Sequence, residues 1–395
     1  MNPVALVAVL LVGIAVLGAA AVFVRHRLVV ATTRPGRQRE LATRAFVVGV
    51  VVVLGSLVLS VAARSSDLAA RLRPASVLLA VALYLVVALL VAEVPLLVWR
   101  RWATRGGAEV DPDRRLAMAR FAAGGAGAAA VAATGFGYRQ ATRRIPPKHV
   151  TIELARLPEG FDGVRLALLA DVHLTRGLRE RGFMAEVVDT VNREGVDVGL
   201  VVGDLVDGSV DDLADAAAPL ADLEAPLGRF FTTGNHEYYS GVEPWVAHLP
   251  TLGWTVLRNE RVVLRRGGAV VDLVGLDDVE GERHGVGPDL DAAFGGRVAG
   301  RAALVLAHQP ILAADVAARG ADLVLSGHTH GGQLWPLGPL VQAQQGHLAG
   351  LGRVGDAVVY VTRGVGTWGP PVRVAAPPEV TIITLRSVPA RRSGA

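Results

Sequence analysis

The chain of 395 residues contains no cysteine, which excludes disulfides and thiolate metal sites and leaves oxygen and nitrogen as the only available metal ligands. Lysine is nearly absent: Lys148 is the only one, and every other basic side chain is arginine. Acidic residues are scarce at the start. Residues 1–150 hold 6 of the 36 Asp and Glu but 19 of the 40 Lys and Arg, so the first part is basic and the remainder acidic. The pI of about 9.9 therefore does not argue for nucleic-acid binding. Its excess charge flanks apolar runs, where basic residues set topology and meet anionic headgroups. The acidic remainder disfavours long polyanionic substrates. No internal repeat is present.

Four apolar runs, 4–24, 45–63, 75–99 and 116–136, predict an all-α transmembrane region of about four helices within 1–138. The first is not read as a cleaved signal, because no basic residue precedes it and Arg25-His26-Arg27 follows. The third carries Glu93 near its end, placed close to the headgroups beside Trp99 and Arg100. The fourth is rich in Ala and Gly, which suits close packing of membrane helices. Arginines crowd the first loop (Arg25, Arg27, Arg34, Arg37, Arg39, Arg44) and the third (Arg100, Arg101, Arg105, Arg114, Arg115), against Arg64, Arg71 and Arg73 in the second. Loops one and three then belong in the cytoplasm. A multi-pass protein of the cell membrane is expected, with its C-terminal domain extracytoplasmic provided that 116–136 crosses. Residues 139–147 read as a linker ending in the stiff Ile145-Pro146-Pro147, 148–386 as a globular domain, and 387–395 as a tail.

In that domain five motifs stand in order: Asp171-Val172-His173, Gly203-Asp204, Gly234-Asn235-His236-Glu237, His308, and Gly327-His328-Thr329-His330. Each follows a short apolar run (166–170, 198–202, 230–233, 303–307, 323–326) that reads as a buried strand. Metal-type ligands are thus delivered from the ends of successive strands. Asp, Asn and neutral His suit divalent first-row ions, and there are enough of them for two. Segments 179–193 and 212–223 have helical spacing; 254–257, 262–264, 270–274, 358–362 and 380–385 read as further strands. Other histidines, such as His149, are read as ordinary surface or core residues.

The five blocks resemble the signature of the calcineurin-like metallophosphoesterases: D-x-H, G-D-x-x-D, G-N-H-E/D, H and G-H-x-H. Within that family the chain is similar to membrane-tethered bacterial phosphodiesterases. The G-H-T-H-G-G-Q run of 327–333 carries that likeness, with Arg363-Gly364-Val365-Gly366 and Pro377-Pro378-Glu379-Val380 beside it. The resemblance implies a four-layer α/β/β/α sandwich. It implies two divalent ions, of Mn, Fe, Zn or similar type. Asp171, His173 and His330 would hold one, Asn235, His308 and His328 the other, with Asp204 bridging. His236 would protonate the leaving oxygen and Asp207 would orient it, while Glu237 is read as structural. The expected activity is hydrolysis of a phosphodiester or pyrophosphate, with the lipid bilayer and a small phosphorylated or lipid-linked substrate as partners; relatives acting on UDP-diacylglucosamine supply that analogy. A phosphoprotein phosphatase or nuclease with the same core, or a non-enzymatic membrane sensor or scaffold, are the alternatives. The run 334–340, apolar and broken by Pro and Gly, reads either as a lip that meets lipid or as a loop packed on its own core.

Overall fold

The computed structural model describes residues 3–62, 73–104 and 111–388. Contacts divide the chain into two units, one of residues 1–62 and 74–137 and the other holding the remainder. The first unit is helical. Helix α1 (Pro3–Arg25) continues as a wider turn over His26–Val30, followed by α2 (Arg37–Ala62), α3 (Val77–Ala103) and α4 (Pro112–Thr142). Three stretches among the described residues are long and apolar enough to cross a membrane: Leu11–Val30, Val77–Ala103 and Pro112–Thr142. The expected span 45–63 falls in α2, but residue 63 and the side chains of 56–57 and 59–62 lie outside the described residues. Leu17, Val22, Val94 and Phe121 are exposed on these helices. Helices that are apolar on their outward faces are built for a lipid rather than an aqueous solvent. Glu93, the one carboxylate of α3, forms an ion pair with Arg27. Helix α4 runs to Thr142 and strand β1 begins at Pro147, so fewer residues lie outside regular structure here than the expected linker 139–147.

The second unit contains two six-stranded sheets. One has the order β1-β12-β2-β3-β4-β5, the other β10-β11-β9-β8-β7-β6. The motif-bearing strands are β2 (Arg165–Leu169), β3 (Val198–Val202), β4 (Arg229–Thr232), β8 (Ala303–Leu306) and β9 (Leu323–Ser326). β2, β3 and β4 run parallel to one another, as do β8 and β9. Their ligand-bearing ends therefore emerge on the same side of each sheet. Alternation sorts the side chains by face. Leu166, Leu168, Leu200, Leu304, Leu306, Leu323 and Leu325 point between the sheets and form one core. Ala167, Leu169, Val201 and Phe231 point the other way, onto α5 (Arg181–Asn192) and α6 (Val210–Ala217) through Met184, Val188, Val191 and Leu213. Val305, Val324 and Val359 meet Ala313 and Val316 of a helix outside the second sheet. The architecture is thus the four layers expected. Strands covered on both faces must be apolar throughout, which is why they read as unbroken runs.

β10 (Gly350–Val354) went unanticipated. It is an edge strand pairing antiparallel with β11 (Ala357–Val361). Its sequence, Gly-Leu-Gly-Arg-Val, has neither the alternation nor the β-branched content that marks a strand. In the first sheet one edge is β1 (Pro147–Leu154), which runs parallel to β12 (Val380–Ser387) with Lys148 opposite Thr381.

Candidate metal centre

Past the ends of β2, β3, β4, β8 and β9 the backbone turns sharply. Asp171, His173, Asp204, His328 and His330 are all held at positive φ, between 49° and 66°. Such conformations are costly for non-glycine residues and persist only where the surroundings over-determine them. Here the turns hold one another. The N–H of Asp171 donates to Gly203 O at 3.1 Å and that of His173 to Asp204 O at 3.0 Å. Gly203 has φ of 72°, and a Cβ there would fall 2.6 Å from the Gly234 Cα. Two motif turns touch at that point, and any side chain would push them apart.

The carboxylates are fixed by backbone donors. The N–H of His328 reaches both oxygens of Asp171, at 2.9 and 3.0 Å, and the N–H of His236 reaches Asp204 Oδ1 at 2.8 Å. Glu237 is fully buried and accepts from the N–H groups of Gly234, Asp204 and Leu205 at 2.7–2.9 Å. It ties two motif turns together, as its structural reading anticipates. Burial and the Asp204 charge push its carboxyl up to about 7.

Three groups of ligand atoms converge, each within 4.8 Å: Asp171, His173 and His330; His173, Asp204 and His236; Asp204, His308 and His328. The seven proposed ligands thus lie in one cluster, with Asn235 Oδ1 3.0 Å from His328 Nδ1. His173 and Asp204 each belong to two of these groups, so the groups overlap.

Tautomers and charges test whether these residues fit a cation. His308 Nδ1 lies 2.8 Å from the Val202 carbonyl and donates to it, which turns the buried Nε2 toward the carboxylates. That nitrogen lies 3.2 Å from Asp204 Oδ2 and 4.0 Å from Asp171 Oδ1. Burial alone would lower the His308 pKa, yet the charges of Asp204 and Asp171 hold it well above the usual value. The position demands positive charge, which a divalent ion would supply. His173 is held in the same way: Nδ1 is 2.9 Å from Asp207, which directs Nε2 into the cluster, 3.0 Å from His330 Nε2. Burial and the neighbouring cationic His308 push His328 down to about 3, so it stays neutral and available as a ligand.

Asp207 uses a single oxygen for two imidazoles, accepting from His236 Nδ1 at 2.6 Å as well as from His173. The carboxylate proposed to orient His236 therefore also contacts a proposed metal ligand. Burial would lower the His236 pKa, but the carboxylates of Asp204, Asp207 and Glu237 raise it to about 9. Desolvation would raise Asp207, and the His173 and His236 partners outweigh it, so it stays well below the usual carboxylate range.

Two buried arginines were missed. Arg373 spans the carbonyls of Gly366 (2.9 Å), Ala376 (3.1 Å) and His330 (3.2 Å), and its Nη2 lies 3.1 Å from His330 Nδ1. Burial pushes its pKa down to about 9. Arg179 donates to His173 O at 2.9 Å and to Thr367. Each braces the backbone of a proposed ligand. Asp277 and Asp278 do not join the cluster: Asp277 pairs with Arg258 and Thr233, and Asp278 with Gln309. Gln333 accepts from the N–H of Trp368 at 2.9 Å and donates to its carbonyl at 2.7 Å. This stitches together two loops that expose Trp335 and Trp368.

Residues 164–332 match the family profile described as calcineurin-like phosphoesterase. A zebrafish (Danio rerio) transmembrane protein with metallophosphoesterase domain is 40% identical over 253 residues, 61% of this chain and 58% of its own length. An uncharacterized metallophosphoesterase of Helicobacter pylori is 37% identical, over 63% of this chain and 66% of its own. One from Bacillus subtilis is 31% identical over 288 residues, 69% of this chain and 97% of its own. The chain thus spans about three fifths to two thirds of the first two relatives and nearly all of the third.

Proposed function

Because the chain belongs to the calcineurin-like metallophosphoesterases, we propose that it holds two divalent ions and hydrolyses a phosphodiester or pyrophosphate bond at a membrane. The observation that carries this reading is the convergence of two ligand groups, Asp171 with His173 and His330 and Asp204 with His308 and His328, next to each other in one buried cluster. Asp171, His173, Asp204 and His330 would hold one ion; Asp204, Asn235, His308 and His328 the other. When bound, such ions supply Lewis acidity toward phosphoryl oxygens and a water that ionises near neutral pH.

The chain's own residues do the rest. Asp171 and Asp204 offset cationic charge, while the imidazoles and the Asn235 amide complete the ligand set without adding negative charge. His236 carries a proton under the pull of Asp204 and Asp207 and delivers it to the leaving oxygen. Asp207 keeps its Nδ1 edge occupied, so the opposite edge faces the substrate.

A lipid-linked substrate is favoured by the apolar helices and by the exposed side chains Trp335, Leu340 and Trp368. Aromatic residues with one wet end suit the headgroup region. Helices α1–α4 each cross, with the arginine-rich loops in the cytoplasm and the catalytic unit outside.

Metal analysis of the purified full chain should find up to two equivalents, and Asp204→Ala should lower occupancy at both positions. Two equivalents retained by that variant would sink the shared-ligand assignment. Turnover of chromogenic diester, monoester and nucleotide-linked lipid substrates with Mn²⁺ then decides the bond type.

A further inference from the structure

At one end of the helical unit, where the three candidate spans begin or end, lies a cavity of about 530 Å³. Its wall is formed by the turn after α1, the end of α3 and the start of α4. Arg27, Arg34, Arg39, Arg100 and Arg115 line it, against a single lining carboxylate, Asp113.

These arginines are not equivalent. Arg39 is committed to the fold, donating to the carbonyls of Val30 and Thr33 at 3.1 and 2.6 Å. Arg34 pairs with Asp113, fastening the first turn to α4. Arg27 is largely buried and pairs through Nη2 with Glu93, which leaves its buried Nε without a hydrogen-bond partner. Arg100 and Arg115 have no side-chain partner among the described residues. A buried donor left unmade costs free energy, and guanidinium groups gathered around a cavity repel one another unless an anion enters. The size is that of small-molecule sites in general. Trp99, an interfacial type of residue, is also on the wall.

We infer that this cavity binds the phosphate-bearing headgroup of an anionic lipid, held by Arg27 Nε and the Arg100 and Arg115 guanidinium groups. The shared chemistry is a phosphate anion. The lipid is its source because the cavity sits where apolar spans end, at headgroup depth. The inference is independent of the hydrolytic reading, since it needs only that these helices lie in a bilayer.

Native mass spectrometry of the full chain, released from detergent with phosphatidylglycerol, phosphatidylcholine or inorganic phosphate, tests it. The unaltered chain should retain phosphatidylglycerol over phosphatidylcholine. Arg100→Gln with Arg115→Gln should reduce that retention about tenfold or more. Arg101→Gln with Arg114→Gln removes the same charge from neighbouring positions that do not line the cavity, and should leave retention unchanged. Equal loss in both double variants, unchanged retention in the first, or no preference between the two lipids overturns the proposal. Inorganic phosphate bound in preference to the lipid overturns the headgroup as its source. Unaltered circular dichroism in the double variants excludes misfolding as the cause.

Discussion

His236 lies beside the proposed ligands and shares the Asp207 carboxylate with His173, so its own removal should touch proton delivery more than metal binding. His236→Ala should lower kcat on an unactivated diester by about 10²–10⁴ while leaving bound metal unchanged, and the loss should shrink with a better leaving group. Near-normal turnover on the unactivated substrate would remove it as the acid. Glu379 makes a different prediction. It is buried and takes the Lys148 ammonium at 2.9 Å, Arg363 Nη1 at 3.1 Å and the hydroxyl of Tyr360 at 3.0 Å. Burial would raise its pKa, but Lys148 and Arg363 outweigh it and the net shift is downward. A depressed folded-state value means the carboxylate stabilises the fold above its unfolded pKa, and that contribution fades as pH falls through the folded value. Glu379→Gln should cost on the order of 2–4 kcal/mol near neutral pH. The difference from the unaltered chain should narrow in acid, below roughly pH 4.5. Thermal unfolding of the full chain across pH reads both.

Strand ends were the legible part of this molecule. Runs such as 198–202 had to be apolar because both faces are covered, and an Asp or His directly after such a run has no reason to be there except chemistry. Arg373 and Arg179 had no such signature, because gathering backbone carbonyls requires no spacing along the chain and depends on loops that meet only in three dimensions. β10 was silent for the reason that edge strands often are: half exposed and rich in Gly, it carries no periodic pattern. The loops that Gln333 stitches together carry their own prediction. Replacing both Trp335 and Trp368 with Ala should slow hydrolysis of a substrate presented in vesicles while sparing a soluble chromogenic one, because only the former needs the apolar rim. Equal effects on both would move the two tryptophans from lipid contact to the architecture of the site.

At the scale of the whole chain, metal and stability are coupled. Buried carboxylates packed this closely repel one another, so ions that bind only the folded state should stabilise it. Chelation should abolish turnover and lower the unfolding temperature. Restoring metal at about a hundred times its dissociation constant should return about 2.7 kcal/mol per site. The side of the membrane is decided by a reporter after Ala395. A phosphatase active only outside the cytoplasm should report, and a fluorescent protein that matures only inside should be the sole signal if the catalytic unit is cytoplasmic.

Lys148 is the only lysine in the chain, and it lies in the edge strand that opens the catalytic unit, paired with β12. An endoprotease specific for lysyl bonds therefore has one cut to make, between the membrane helices and the hydrolase. A paired strand does not fit a protease cleft, so the cut waits for β1 to peel from the sheet. The appearance of two fragments then clocks the opening of a single strand without any label. The same ε-amine gives amine-reactive dyes one address besides the chain's own amino terminus, within a few residues of where the polypeptide leaves its last long helix.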